Sequence, residues 1–267
     1  MILIQPAKLD VLHDLWDTLA QLPASQPEQS LELLLSTIGD LIESEHGFWF
    51  SMHRVDDANE EDQMLGWRMG PAFFHKPLPE DENLYKKTVK DVSDGQPGEC
   101  LIANIRTAGK FRASLIRDRV PASYFESDFY RQNMEGRGFH DSLSVVTPLN
   151  EDSEIYVGFM RKKHQLQFTA EDLELVSYGV RSLGWFHRRT LLSHGLELAD
   201  KPLTATERMV MRRLLTDWSE KQIADDLDQK LDTTHKHVVS IYRKFNVKSR
   251  AGLMSLWLGH DPKQDTV

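Results

Sequence analysis

The chain has 267 residues, 40% of them hydrophobic and 27% charged, with a formal net charge of −9. This is the composition of a soluble globular protein long enough for two cores, and no apolar run reaches the length of a membrane span. The single cysteine, Cys100, excludes an internal disulfide framework and cysteine-based zinc sites, and a bland packed thiol is its expected role. Met1-Ile-Leu-Ile-Gln-Pro lacks the basic start and long apolar core of a signal peptide, so a cytoplasmic protein is expected. Twelve Lys and Arg and nine Asp and Glu lie from Lys201 onward, a local charge of +3 that leaves −12 for the remainder. An acidic body with a mildly basic end suits a protein that touches nucleic acid through that end alone.

Lys8 to Leu22 predicts an amphipathic helix, with Leu9, Leu12, Trp16 and Leu19 three or four residues apart. A second helix is expected from Pro27 to about Glu45. The run Gly47 to His53 predicts a strand, with Gln63 to Met69 as its hairpin partner across an acidic loop at Asp56 to Asp62. Pro71 to Gly138 is punctuated by Pro and Gly, with helices predicted at Asn83 to Val92 and Ser123 to Met134. Ser142 to Leu149 and Ile155 to Met160 form a predicted hairpin around Asn150-Glu-Asp-Ser. Thr169-Ala-Glu-Asp then caps one long helix to about His194. The expected fold is an α+β sensor-like domain, an antiparallel sheet with flanking helices, over residues 1–196. A linker at 197–202 separates it from an all-α, four-helix domain with a helix-turn-helix at 203–260.

The C-terminal segment carries the sharper signals. Thr204-Ala-Thr-Glu207 and Ser219-Glu-Lys-Gln222 are two capping boxes, each opening a short helix, and two capped helices across a tight turn have helix-turn-helix shape. A third helix is expected from Asp232 or Thr233 to Phe245, with Thr234, Val238, Ile241 and Phe245 as its inward stripe. Between Thr233 and Arg250 there are five Lys or Arg and no acid. Such a donor-rich face can enter a major groove, with side chains on base edges and flanking cations on phosphates. His235 and His237, two apart on a helix, point to different faces and make no metal site.

Leu203-Thr204, Glu207, Leu214-Leu215, Ser219, Lys221, Ile223-Ala224, Leu227, Thr233, His237, Ile241-Tyr242-Arg243-Lys244 and Val247-Lys-Ser-Arg250 together resemble the C-terminal signature of LuxR-type transcription regulators. The resemblance implies a four-helix DNA-binding domain that works as a homodimer on pseudo-palindromic promoter sites, with RNA polymerase as a candidate partner. Carried onto this chain, it places Lys221 and Ser249 to Arg250 at phosphates and Thr233, His235, Lys236 and Val239 or Ser240 at the bases. Thr234, His237, Arg243, Lys244 and Lys248 complete the candidate DNA-binding set. Four features depart from the pattern: Asp228 stands where glycine is usual after the second helix, Gln229 and Thr234 replace apolar residues, and the turn holding Trp218 is one residue short.

The N-terminal region lacks the β/α alternation of a phospho-receiver domain and the spaced Trp, Tyr and Asp-Pro set of acyl-homoserine-lactone receptors. Ser127-Asp-Phe-Tyr130, Gly138, Asp141, Leu143 and Phe168-Thr-Ala-Glu-Asp are similar to GAF-like input regions, within a broader GAF/PAS-like class. A small-molecule effector would sit between sheet and helices, with Trp49, Trp67, Phe73, Tyr85 and Phe111 as candidates; plain core packing is the competing role of each. No nucleophile elbow, phosphate loop, paired-carboxylate site or His-Glu-His pattern occurs, so neither enzyme activity, a cofactor nor a metal is expected. The alternative to a ligand-controlled regulator is one whose N-terminal domain serves only dimerisation or binding of a partner protein.

Overall fold

The computed structural model describes residues 4–23, 25–54, 62–93, 97–150, 152–194 and 203–257. The chain divides into two compact units, one of Met1–Leu19 and Leu31–Gly184, the other of Ala20–Ser30 and Trp185–Val267. The predicted linker and the acidic loop around Asp56 lie outside the described residues, apart from Asp62.

The elements run α1 (Pro6–Gln21), α2 (Pro27–Leu41), β1 (His46–Arg54), β2 (Trp67–His75), α3 (Asp81–Ser93), α4 (Glu99–Ile105), β3 (Arg112–Leu115), α5 (Ile116–Arg119), α6 (Asp128–Asn133), β4 (Phe139–Asn150), β5 (Ser153–Lys162), α7 (Ala170–Arg181) and α8 (Gly184–His194). Both α1 and α2 open on proline, whose fixed φ and missing amide suit the first helical turn. The five strands form an antiparallel sheet in the order β2-β1-β5-β4-β3. This is the expected α+β architecture, with the central strand β5 buried along nearly its whole length.

The two faces of the sheet do different work because side chains alternate along a strand. Trp49, fully buried, shares a face with Gly47, whose Cα hydrogen points at Phe159 and at Leu35 of α2. On the same side of the unit, Gly179 of α7 lets Leu12 of α1 and Ile38 of α2 approach, and the indole of Trp16 donates to the Gly179 carbonyl at 2.9 Å. The opposite face carries Phe48, Phe50, Ser142, Ser144 and Tyr156 toward α3 and α4. Buried charges are paired: Glu154, fully buried, takes two hydrogen bonds from Arg112 at 2.7 and 2.8 Å and one from the Gly109 amide at 2.6 Å.

Several boundaries differ from the sequence reading for local reasons. Residues 63–66 turn instead of pairing, because the Asp62 carboxylate accepts from the amides of Met64 and Gly66, and Leu65 and Gly66 adopt positive φ. The helix expected from Ser123 to Met134 breaks at Ser127, whose extended backbone and side chain cap α6. The helix capped by the Thr169–Asp172 box stops at Arg181, and α8 restarts at Gly184 after a tight turn that buries Leu183. The elements α4, β3 and α5 fall in a stretch with no legible period.

The second unit contains α9 (Ala205–Leu214), α10 (Glu220–Asp226), α11 (Leu231–Lys244) and α12 (Arg250–Trp257). Both predicted capping boxes form: Thr204 Oγ accepts from the Glu207 amide while Glu207 returns to the Thr204 amide, and Ser219 and Gln222 do the same. Val210, Met211, Leu214, Ile223, Val238, Ile241, Phe245 and Leu253 make one core, with Leu192 of α8 joining it. Asp228 takes the residue position usual for glycine with φ of 50°, and the Gln229 amide closes the α10 end on the Ala224 carbonyl at 2.9 Å. Aspartate therefore performs the left-handed cap here. The short turn is held by Thr216, whose hydroxyl donates to Arg213 and accepts from the Trp218 amide.

Candidate functional site

Helix α11 presents one face to its own core and the other to solvent. Val238 and Ile241 are buried inward, while Thr233, His235, Lys236, Val239 and Arg243 are exposed. Val239 is 41% exposed although apolar, on that outward face. Lys221 on α10 and Lys248 and Ser249 before α12 are also exposed.

Not every residue assigned to DNA is free to reach it. Thr234 is fully buried and donates to the Gln229 side chain at 3.0 Å, which removes it from the reading face and explains how a polar pair replaces two apolar residues. Arg250 points inward: its guanidinium donates to the carbonyls of Leu214 at 2.8 Å, Trp218 at 2.7 Å and Thr216, stapling the α9–α10 turn. It neutralises the carbonyl end of α9 and is not placed to bind phosphate. Ser240 and Lys244 bond the Glu207 carboxylate at 2.6 and 2.7 Å, so they anchor α11 to α9. Burial opposes ionisation of Glu207, but hydrogen bonds from Lys244, Ser240 and Thr204 outweigh it and hold the carboxyl down at about 2. His237 is half-buried, one edge of the exposed face.

Two acids modulate the face. Helix α11 starts at Leu231, which places Asp232 in its first turn, where its carboxylate pairs with Lys236 at 2.9 Å. Glu220 of α10 likewise pairs with His235 at 2.9 Å. These contacts join solvent-accessible side chains and contribute little to stability.

The first unit holds a cavity of about 250 Å³ between the second sheet face and helices α3 and α4. Its walls are aromatic: Phe50 stacks on Tyr156 with centroids 4.6 Å apart, Phe48 stacks on Phe50, and Phe74 meets Tyr85 edge to face. Of the five sequence candidates the structure brings only Tyr85 to it. Its hydroxyl donates to the Gly70 carbonyl, and burial pushes its pKa up to about 12. Trp49 and Phe73 sit opposite one another on β1 and β2, on the other sheet face. Trp67 packs with Met52, Met64 and Val146, and Phe111 lies under the Arg181 guanidinium. The cavity residues missed from sequence include Phe48, Phe50, Phe74, Phe129 and Tyr156; the alternation of a strand puts Phe48 and Phe50 on one face but does not say which face stays unfilled. Cys100 also borders the cavity, and burial pushes its thiol up to about 11, which leaves it protonated and inert at neutral pH. Among the described residues no group of three or more His, Cys, Asp or Glu is arranged to hold a metal ion.

A capped helix pair followed by a third helix whose outer face carries His235, Lys236 and Arg243 has the arrangement of a helix-turn-helix. Residues 201–257 match the family model described as bacterial regulatory proteins, luxR family. No curated protein matches the sequence. Among solved structures, Escherichia coli SdiA is similar at 12% identity with a TM-score of 0.45, covering 94% of this chain and 98% of that one. SdiA in complex with octanoyl-rac-glycerol is similar at 12% identity and 0.44, covering 95% of each chain. The VqsR LBD domain from Pseudomonas aeruginosa is similar at 12% identity and 0.47, covering 70% of this chain and 97% of that one.

Proposed function

We propose that this protein is a homodimeric, sequence-specific transcription regulator that reads promoter DNA with the exposed face of α11 and is controlled by a small apolar effector in the N-terminal cavity. The observation that carries the DNA reading is the solvent-facing set Thr233, His235, Lys236, Val239 and Arg243 on a helix whose other face is locked into a LuxR-family core. Lys221, Lys248 and Ser249 supply the flanking phosphate contacts. Two such modules on one duplex face would engage half-sites about one turn, roughly 10 bp, apart. RNA polymerase is the candidate partner at the promoter. Among the described residues no helix is long and apolar enough to cross a membrane, and a cytoplasmic site of action is part of the proposal.

Selection of bound sequences from a random DNA pool tests this reading. The expected product is an inverted repeat bound by two protomers, and enrichment of no sequence by the full chain would sink it. The aromatic cavity favours a ligand-controlled regulator over one whose N-terminal unit serves only assembly. Native mass spectrometry of the purified protein distinguishes the two by the presence of a bound small molecule and its effect on DNA affinity.

A further inference from the structure

A second, smaller pocket of about 200 Å³ lies between α3, the start of α4 and the aromatic turn that carries Tyr124 and Phe129. It meets the larger cavity at Thr88, Gly98 and Phe129, while Asp91, Glu99 and Tyr124 border the small pocket alone. The partition is thin: a Cβ on Gly98 would lie 3.0 Å from Cζ of Phe129, so the ring rests on bare backbone. The Tyr124 and Phe129 rings stand with centroids 6.2 Å apart, and edge contacts from Phe125 and Tyr130 hold Tyr124 in place.

The polar groups of this wall are unevenly spent. Thr88 donates to the Leu84 carbonyl at 2.9 Å, and Ser127 donates to the Tyr124 carbonyl at 2.6 Å. The Tyr124 hydroxyl, by contrast, has no hydrogen-bond partner among the described residues, although the residue is only 3% exposed. Burial first, and then Cys100, Tyr130 and Glu99 nearby, push its pKa up, so it stands as a neutral phenol in the field of the Glu99 carboxylate. Asp91 is half-buried and Glu99 exposed at the rim; among the described residues neither carboxylate is paired, and none that lines the pocket is basic. Unpaired negative charge beside two ring faces and an idle oxygen acceptor suits an ammonium ion, whose charge and N–H groups each find a partner. Ca²⁺ takes about six to eight oxygen ligands, more than this wall offers. The structure thus assigns to this pocket the binding of a primary alkylammonium ion, with Asp91 and Glu99 balancing the charge, Phe129 covering the carbons and Tyr124 Oη accepting an N–H. The site is separate from the effector proposed for the larger cavity and does not rest on it.

Calorimetric titration of the full chain at pH 7.5 with butylammonium, tetramethylammonium, butanoate and Ca²⁺ tests the assignment. Butylammonium is expected to bind about tenfold or more tightly than butanoate, and about fivefold more tightly than tetramethylammonium, which keeps the charge but has no N–H. Asp91→Asn and Glu99→Gln together should weaken butylammonium about tenfold. Tyr124→Phe, which removes only the hydroxyl, should weaken butylammonium about fivefold and leave tetramethylammonium unchanged. Unchanged melting temperatures confirm that the variants fold, and in the unsubstituted chain raised NaCl should weaken butylammonium as well. Absence of butylammonium binding, undiminished binding to the double carboxamide variant, or a preference for Ca²⁺ overturns the site. An equal effect of Tyr124→Phe on both ammonium ions overturns the role of the phenol.

Discussion

The Glu207 carboxylate on α9 lies 2.7 Å from Nζ of Lys244 in the last turn of α11, so the first helix of the DNA-binding unit fixes the end of the helix proposed to read bases. Glu207 is 4% exposed and also closes its own capping box, which makes one side chain responsible for both a helix start and an interhelical lock.

The lock carries a pH signature. The Glu207 carboxyl is held at about 2, below its ordinary 4.5, so its contribution is complete above pH 4.5 and disappears as pH falls toward 2. The loss is on the order of 2–3 kcal/mol. Acid unfolding followed by circular dichroism should show it. Glu207→Gln should cost about 3 kcal/mol at neutral pH and show a flatter stability profile between pH 4.5 and 2. An unchanged acid limb in that variant would contradict the assignment.

Arg250 and Lys221 should separate by type of effect. Arg250→Ala leaves three carbonyls of the α9–α10 turn without their donor and should lower stability by about 2 kcal/mol or more. Lys221→Ala touches only an exposed side chain; it should leave the melting temperature unchanged while weakening all DNA sites alike and reducing the salt slope by about one. Thermal melts and filter binding across salt concentrations measure both.

Asp232 pairs with Lys236 at 2.9 Å, so under the proposed reading it competes with DNA for that cation. Asp232→Asn should strengthen binding to specific and random duplexes together, because it frees a cation and removes a charge facing phosphates. Lys236→Ala should instead flatten preference at one or two base positions, by about 1–3 kcal/mol each. Footprinting on a panel of single-base variants reads both outcomes, and undiminished selectivity of the alanine variant would remove Lys236 from the reading face.

Asp228 sits at φ 50°, a conformation that costs an ordinary L-residue about 1–2 kcal/mol. Asp228→Gly relieves that cost but raises the entropy of the unfolded chain by about 0.4–1 kcal/mol. The net expectation is a gain of about 0.5 kcal/mol, measurable by urea denaturation, with Asp228→Val destabilising.

Gly158→Ala should act on the cavity. The added Cβ overlaps the tip of the Phe48 ring, which must turn toward the open space. The expected cost is about 1–3 kcal/mol. Uptake of a small apolar probe such as butylbenzene should be lost while DNA binding proposed for the C-terminal unit persists.

Capping boxes are local devices, so Thr204–Glu207, Ser219–Gln222 and the Thr169 start could all be read from four-residue windows. The inward stripe of α11 was legible for the same reason: a 3.6-residue period is set within the helix. Thr234 shows both sides of this, since its phase placed it inward while the candidate DNA-binding set included it, and its hydrogen bond to Gln229 holds it in the interior.

Partners distant in the chain escaped such windows. The destiny of Arg250 depended on carbonyls more than thirty residues earlier, and that of Lys244 on Glu207 thirty-seven residues back. The cavity was illegible in the same way: Trp49 and Phe50 are adjacent and equally apolar, and only the helices covering each sheet face determined that one packs solid and the other borders open space. Backbone propensity and capping act between near neighbours and leave their record in sequence order. Which polar side chain turns inward, and which apolar face keeps room for a guest, is set by contacts that exist only once the chain has folded.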